Sequence, residues 1–328
     1  MPADRGAGRA CPTSYRYSPE ALERSSQHGV HTAYVIGGLY GNRQALDTVL
    51  AMAQRERGDV LLIFNGDFNW LNVRPEDFAD INETVLSHLA TRGNVETELA
   101  TEESDAGCGC AYPDYVDEAV VTYSNIIMVR LRATAEAFPD LRQQLVSLPM
   151  ALRIEVAGEP VVILHGDPES LAGWSFAVEA MPPEGNTSVA RIHEHFRRAG
   201  ARVFACTHTG LPHAQRFVVD GQARLVINNG SAGMPNFAGT HFGVITRISA
   251  DQAIPEASLY GCCVGGLRVD ALPVPYDHNE GLRRFRRDWP EGSPAYHAYY
   301  RRLLDGPEFS LERAARDGVT RLAGRQRV

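Results

Sequence analysis

The sequence predicts an α/β protein organised around a parallel sheet, and three observations carry that expectation. Two strand, turn, helix units follow one another after residue 30, polar residues recur at the carboxyl ends of the apolar runs, and the composition is that of an ordinary globular chain. At 328 residues, 44% hydrophobic and 8% aromatic, the chain is long enough for one large α/β domain or two modest ones. Its 40 acidic against 32 basic side chains leave a net charge of −8, which argues against nucleic acid as a partner. No apolar run approaches the roughly 18 to 20 residues of a membrane span, and the start, Met1 to Gly6, lacks the apolar core of a secretion signal. The cytoplasm, with no membrane partner, is therefore the expected compartment.

The elements read in order as follows. Residues 1–30 are polar and aperiodic, an expected arm. From His31, Thr32 to Ile36 reads as a buried strand, Gly37 to Gly41 as a tight turn, and Asn42 onward as a helix carrying Leu46, Val49 and Leu50 on one face. Asp59 to Phe64 repeats the strand, with Asn65-Gly66-Asp67 at its end and a helix from about Pro75. Two such units in succession predict parallel strands with helices on their faces. After Arg92-Gly93-Asn94 comes an acidic, glycine-containing stretch through Tyr115, a candidate lid, and then a long helix to Phe138. Beyond Pro149, alternation at Leu152, Ile154 and Val156 and the run Val161 to Leu164 predict a hairpin ending at His165-Gly166. A helix over Val189 to Ala199 leads to a strand ending at Cys206, with Thr207-His208-Thr209-Gly210 at its tip. Phe217 to Val219 and Leu225 to Ile227 read as a second hairpin that leaves through Asn228-Asn229-Gly230-Ser231. Residues 241–276 continue as strands, and 278–328 form an Arg-rich helical extension to the domain over 31–277.

Asp67, Asn94, His165 and His208 each stand at a strand or hairpin exit beside a small residue. One carboxylate, one amide oxygen and two imidazoles form a mixed oxygen and nitrogen set, which suits one divalent transition metal, Mn, Fe or Zn, rather than Ca. The sequence has no lysine, so a Walker-type phosphate loop and Schiff-base chemistry are excluded.

The order of these motifs resembles the calcineurin-like metallophosphoesterase superfamily over roughly residues 32–276. The corresponding segments are Gly38-Leu39-Tyr40-Gly41-Asn42, Gly66-Asp67, Gly93-Asn94-Val95-Glu96, His165-Gly166, Thr207-His208-Thr209-Gly210 and Asn228-Asn229-Gly230-Ser231. The resemblance implies a four-layer α/β/β/α sandwich of two facing mixed sheets. It also implies a two-metal site in which Asp67 bridges; the first metal would take side chains at positions 38, 40 and 210, the second Asn94, His165 and His208. This chain has Gly38, Tyr40 and Gly210 at the first set and keeps the whole second set. One site reads as erased and one as preserved.

The expected function is hydrolysis of a small phosphomonoester or phosphodiester by water acidified at a single metal. Asp67, His165 and His208 are the expected catalytic centre. The family's histidine after Gly-Asn is Val95 here, which leaves Tyr40 and His213 as candidate proton donors. Two other readings stay open: a mononuclear, iron-dependent redox enzyme built on the two-histidine, one-carboxylate set, and a catalytically silent ligand-binding protein. Glu96 is expected to orient its neighbours. Six cysteines in neither a ladder nor a CxxC pattern predict reduced thiols, with Cys108 and Cys110 ordinary residues of the lid and Cys206, Cys262 and Cys263 buried. His193 and His195 are expected on the surface, and the C-terminal helices docked on the domain or joining two copies of the chain.

Overall fold

The computed structural model describes residues 6–23, 29–101 and 105–322. In chain order these form β1 (Gly29–Val30), β2 (Thr32–Ile36), α1 (Arg43–Arg55), β3 (Val60–Asn65), α2 (Pro75–Leu86), β4 (Leu89–Thr91), α3 (Asn94–Ala100), α4 (Glu118–Ala135) and α5 (Pro139–Ser147). There follow β5 (Ala151–Val156), β6 (Glu159–Leu164), α6 (Val189–Ala199), β7 (Val203–Cys206), β8 (His213–Val219), β9 (Gln222–Asn228), β10 (Gly243–Ser249), β11 (Tyr260–Val264) and β12 (Leu267–Val274). The chain closes with α7 (His278–Asp288), α8 (Pro294–Asp305), α9 (Leu311–Ala314) and β13 (Thr320–Arg321).

Helix starts follow local chemistry. The Asn42 side chain accepts the Ala45 N–H at 3.1 Å and opens α1, and Ser188, Asp277 and Ser293 do the same for α6, α7 and α8. Proline at the first position opens α2, α5 and α8, where no N–H is needed.

The strands make two mixed sheets, a seven-stranded one in the order β13-β11-β12-β10-β2-β3-β4 and a six-stranded one in the order β1-β5-β6-β7-β9-β8. Period-two alternation divides each strand between two cores. Ala33, Val35, Ile63, Val161, Ile163, Val203, Ala205, Leu225 and Ile227 meet between the sheets. Tyr34, Ile36, Leu62 and Phe64 face α1, α2 and α4, whereas Val162, Leu164, Phe204 and Val226 face α6. Burial on both faces explains why these strands read as uninterrupted apolar runs. Each Val, Leu, Ile or Phe among them contributes roughly 1.5–3 kcal/mol of burial. The result is the four-layer α/β/β/α sandwich.

β2, β3 and β4 run parallel in one sheet, as do β6, β7 and β9 in the other. Their carboxyl ends share one edge of the sandwich, and a buried polar bridge joins the sheets there. Asn65 donates to the Leu164 carbonyl at 2.9 Å and to the Thr207 hydroxyl at 2.8 Å, and accepts from the Thr91 hydroxyl at 2.8 Å.

Several expectations need correcting. Residues 6–23, read as an arm, pack on the domain: Tyr15 is buried, its hydroxyl donating to Glu98 at 2.5 Å, and Leu22 sits in the outer core beside α6. Residues 1–5 and 24–28 of that segment lie outside the described residues. The stretch after Asn94, read as a candidate lid, begins as α3. His195 is buried against Phe176, not on the surface, because the apolar face of α6 runs through it. Cys262 is buried but Cys263 is exposed, since adjacent strand residues point to opposite faces. The C-terminal helices dock on the domain. Phe285, Trp289 and Ala295 join the core outside the larger sheet, and Trp289 donates to the Leu71 carbonyl at 3.0 Å. No described helix is long and apolar enough to cross a membrane.

Candidate metal centre

Four strand ends, β3 and β4 of one sheet and β6 and β7 of the other, bring Asp67, Asn94, His165 and His208 together. His165 stands at the middle. Its Nε2 lies 3.4 Å from Asp67 Oδ1, 3.2 Å from Asn94 Oδ1 and 3.3 Å from His208 Nδ1. Ligand atoms of Asp67, His165 and His208 all fall within 4.8 Å of one another. Close approach is allowed by Gly93, where a Cβ would collide with Asp67 Oδ1 and lie 2.8 Å from His165 Cε1.

The hydrogen-bond network assigns the protons. His165 Nδ1 donates to the Asn65 carbonyl at 2.9 Å, and His208 Nε2 donates to the Cys110 carbonyl at 2.9 Å. Asn94 spends its amide N–H on the Cys108 carbonyl at 2.9 Å. What remains pointing inward is a lone pair from each imidazole, the amide oxygen and the carboxylate: four acceptors and no donor. Such a set is satisfied by a cation, and each imidazole is held by its other nitrogen as metal-ligating histidines are. The residues therefore fit a divalent metal.

The electrostatics favour a positive charge, a proton or a cation, at this point. Burial pushes His165 down, yet the Asp67 carboxylate outweighs it and holds His165 above its ordinary value. Burial acts to raise Asp67, but His165 and His208 pull it below the carboxylate range. His208 is pushed down to about 4 by burial and by His165. Glu96 is buried and receives the Asp67 N–H at 2.7 Å and the Gly93 N–H at 3.0 Å. Burial, then the Asp67 charge, raises its carboxyl to about 7. It fixes the loop that carries Asp67, as the sequence led one to expect.

Two solved structures share this architecture across nearly their whole length. A metallophosphoesterase from Sphaerobacter thermophilus is 18% identical, with a TM-score of 0.55, over 84% of this chain and 99% of that one. A hypothetical protein from Pyrococcus horikoshii OT3 is 15% identical, with a TM-score of 0.53, over 84% and 99%. The chain has the metallophosphoesterase fold. No family model matches the sequence, and no curated protein matches it.

Within this metallophosphoesterase fold the three departures noted in the sequence are neighbours in space. The Tyr40 ring lies against Gly38, where a Cβ would stand 2.5 Å from ring carbon Cε1, and its hydroxyl is 3.2 Å from the Cβ position of Gly210. The two glycines leave the room that the tyrosine fills. Tyr40 thus lines the site cavity with Asp67, Asn94 and His208. His213 does not line that cavity; it is buried at the start of β8 with neither ring nitrogen partnered.

The structure adds three features that motif reading missed. Cys108 and Cys110 are bonded to each other across Gly109, which correct the expectation of free thiols. Gly109 adopts φ +67, a conformation that costs glycine little, and this turns the chain back on itself. The carbonyls of these two cysteines hold Asn94 and His208, and that of Cys110 also accepts the Trp174 indole N–H at 2.9 Å. Within the expected lid, Cys110 and Tyr112 thus form part of the cavity wall, and residues 102–104 lie outside the described residues. Trp70, Tyr112, Trp174 and Tyr299 complete the walls of a cavity of about 250 Å³. Arg302 of α8 reaches into the same cavity. A CxC pair flanking a glycine, beside a ligand motif, was the one sequence signal for the first of these features.

Proposed function

We propose that the chain is a metal-dependent phosphoesterase with a single metal site, held by Asp67, Asn94, His165 and His208, acting on a small phosphorylated substrate. The observation that carries this reading is the convergence of four acceptor lone pairs on one point at the cavity floor. A divalent metal bound there would supply Lewis acidity, lowering the pKa of water and polarising a phosphoryl oxygen.

The chain's own residues do the rest. Asn65 and the CxC carbonyls hold both imidazoles and the Asn94 amide in the ligating orientation. Glu96 fixes the Asp67 loop. The aromatic walls lower the polarity around the four-ligand point, which strengthens charge interactions there. Proton delivery falls to Tyr40, whose hydroxyl lines the cavity and stays protonated because burial and Asp67 raise its pKa far above the usual range. His213 is too far inside the fold for that role.

The test is elemental analysis of anaerobically purified protein together with turnover of generic phosphomonoesters and phosphodiesters. One metal per chain with ester cleavage supports the reading. Stoichiometric iron with oxygen consumption and no cleavage favours the redox alternative, which the buried two-histidine, one-carboxylate set also suits. No metal, with His165→Ala leaving ligand binding unchanged, favours a silent binding protein. The cytoplasm remains the proposed compartment, on four free cysteines, Cys11, Cys206, Cys262 and Cys263, against one local bond between Cys108 and Cys110. Self-association through the C-terminal helices remains a proposal that light scattering tests.

A further inference from the structure

α8 brings to the cavity one charged group that the metal ligands do not explain. Arg302 donates from Nη2 to the Gly210 carbonyl at 2.8 Å, and its Nε is buried without a partner. Arg132 sits on Glu98 at 2.7 Å, Arg247 on Glu56 at 2.9 Å and Arg268 on Asp270 at 2.5 Å, whereas Arg92 and Arg224 also leave a buried Nε unpartnered but line no part of this cavity. Among the described residues Arg302 has no carboxylate partner. A half-buried guanidinium that lines a cavity with its Nε–H shut off from water and unpartnered is a site for an anion.

Its position narrows the anion. Nη1 and Nη2 both lie 3.8 Å from the Cβ position of Gly210, and the Tyr40 hydroxyl lies 3.2 Å from the same point. A positive charge and a hydroxyl donor therefore occupy the side of the cavity that Gly38 and Gly210 vacate, facing Asp67 and His208 across it. We infer that Arg302 and Tyr40 form an oxyanion clamp in place of the first metal, gripping a phosphoryl group whose remaining oxygens face the four-ligand site.

The clamp also points to a substrate class, and in this it rests on the phosphoesterase reading. Two separate cationic centres suit the dianion of a phosphomonoester better than the monoanion of a diester. A cavity of about 250 Å³ walled by Trp70, Tyr112, Trp174 and Tyr299 accepts a compact aromatic or apolar alcohol beyond the phosphoryl group.

The experiment is calorimetric titration of metal-loaded protein with inorganic phosphate, for the native chain, Arg302→Met, Arg302→Lys and Tyr40→Phe, with thermal melting and metal content measured on each. Phosphate affinity is expected to fall about 10- to 100-fold in Arg302→Met, less in Arg302→Lys, which keeps the charge and loses the fork, and several-fold in Tyr40→Phe, about the worth of one neutral hydrogen bond. Metal content stays at the native level throughout. Native phosphate affinity in Arg302→Met, or no phosphate binding by the native chain, overturns the clamp. Arg302-dependent phosphate binding in a protein that cleaves no ester keeps the clamp and discards the hydrolase. Ester turnover with KM unchanged in Arg302→Met keeps the hydrolase and discards the clamp.

Discussion

The two sides of the site cavity are both made of turns after adjacent parallel strands, yet they handle charge in opposite ways. On one side Asp67, Asn94, His165 and His208 turn four lone pairs inward, while Asn94 and both histidines each give an N–H outward to a carbonyl. On the other, Gly38 and Gly210 contribute no side chain and a tyrosine ring fills the space between them, with a guanidinium at its edge. On the single-site reading proposed above, giving up a metal position takes more than giving up its ligands: a ring packs the volume and a guanidinium stands at its edge.

The comparison breaks most readily at its acceptor side. His165→Ala removes the atom that all the others face, and metal affinity is expected to fall by more than about 100-fold, read by elemental analysis after dialysis. Full occupancy in that variant would mean the four groups do not act as one site. The packed side is tested by Gly38→Asp, which drives a Cβ into the Tyr40 ring. It should cost about 1–3 kcal/mol in denaturant unfolding, and the added change Tyr40→His should recover part of that loss. Combining both with Gly210→His, which places a side chain on the left-handed backbone of Gly210 at φ +65, should raise the stoichiometry from one metal to two; a stoichiometry that stays at one in a triple variant that melts like the native chain would show that the ring is not what closes the first site.

Smaller effects sharpen the boundary between the two sides. Replacing Cys108 and Cys110 together by alanine frees the loop whose carbonyls hold Asn94 and His208, so metal affinity should drop about tenfold with the fold retained. The mildest expectation concerns His213, which lies outside the cavity. Burial lowers its pKa from 6.5 to about 3. The folded chain holds it neutral while the unfolded chain takes up a proton, so its contribution is fully present above about pH 6.5 and is lost as pH falls toward 3. His213→Phe should flatten that part of the stability profile and leave any turnover profile unmoved; a lost turnover limb would return His213 to the proton-donor role.

Much of this was legible before any coordinates. The strands β2, β3, β6, β7 and β9 announced themselves as apolar runs because both faces are buried, and Val189 to Ala199 and the Pro75 start matched the helices found. The short strand β4 and the helices α3 and α5 left too weak a pattern, being brief and half polar. His195 was misplaced because an apolar environment for a histidine leaves no local signature. The CxC pair was misjudged since nothing in the sequence indicates that Gly109 turns the two cysteines toward each other.

The sequence alone determined where the long apolar strands β2, β3, β6, β7 and β9 run along the chain and which polar residues follow them, and it set Gly38, Tyr40 and Gly210 apart from the retained Asp67, Asn94, His165 and His208. These are properties of hydrogen-bonding period and residue chemistry along one line of chain. Only the tertiary structure decided that Tyr40 fills the gap between two glycines, that the Cys108 and Cys110 carbonyls hold two ligands, and that Arg302 arrives 92 residues after Gly210 to face them. The reason is physical: two sheets stacked face to face bring strand ends and a late helix to one edge, and contacts made by that stacking have no counterpart in local sequence.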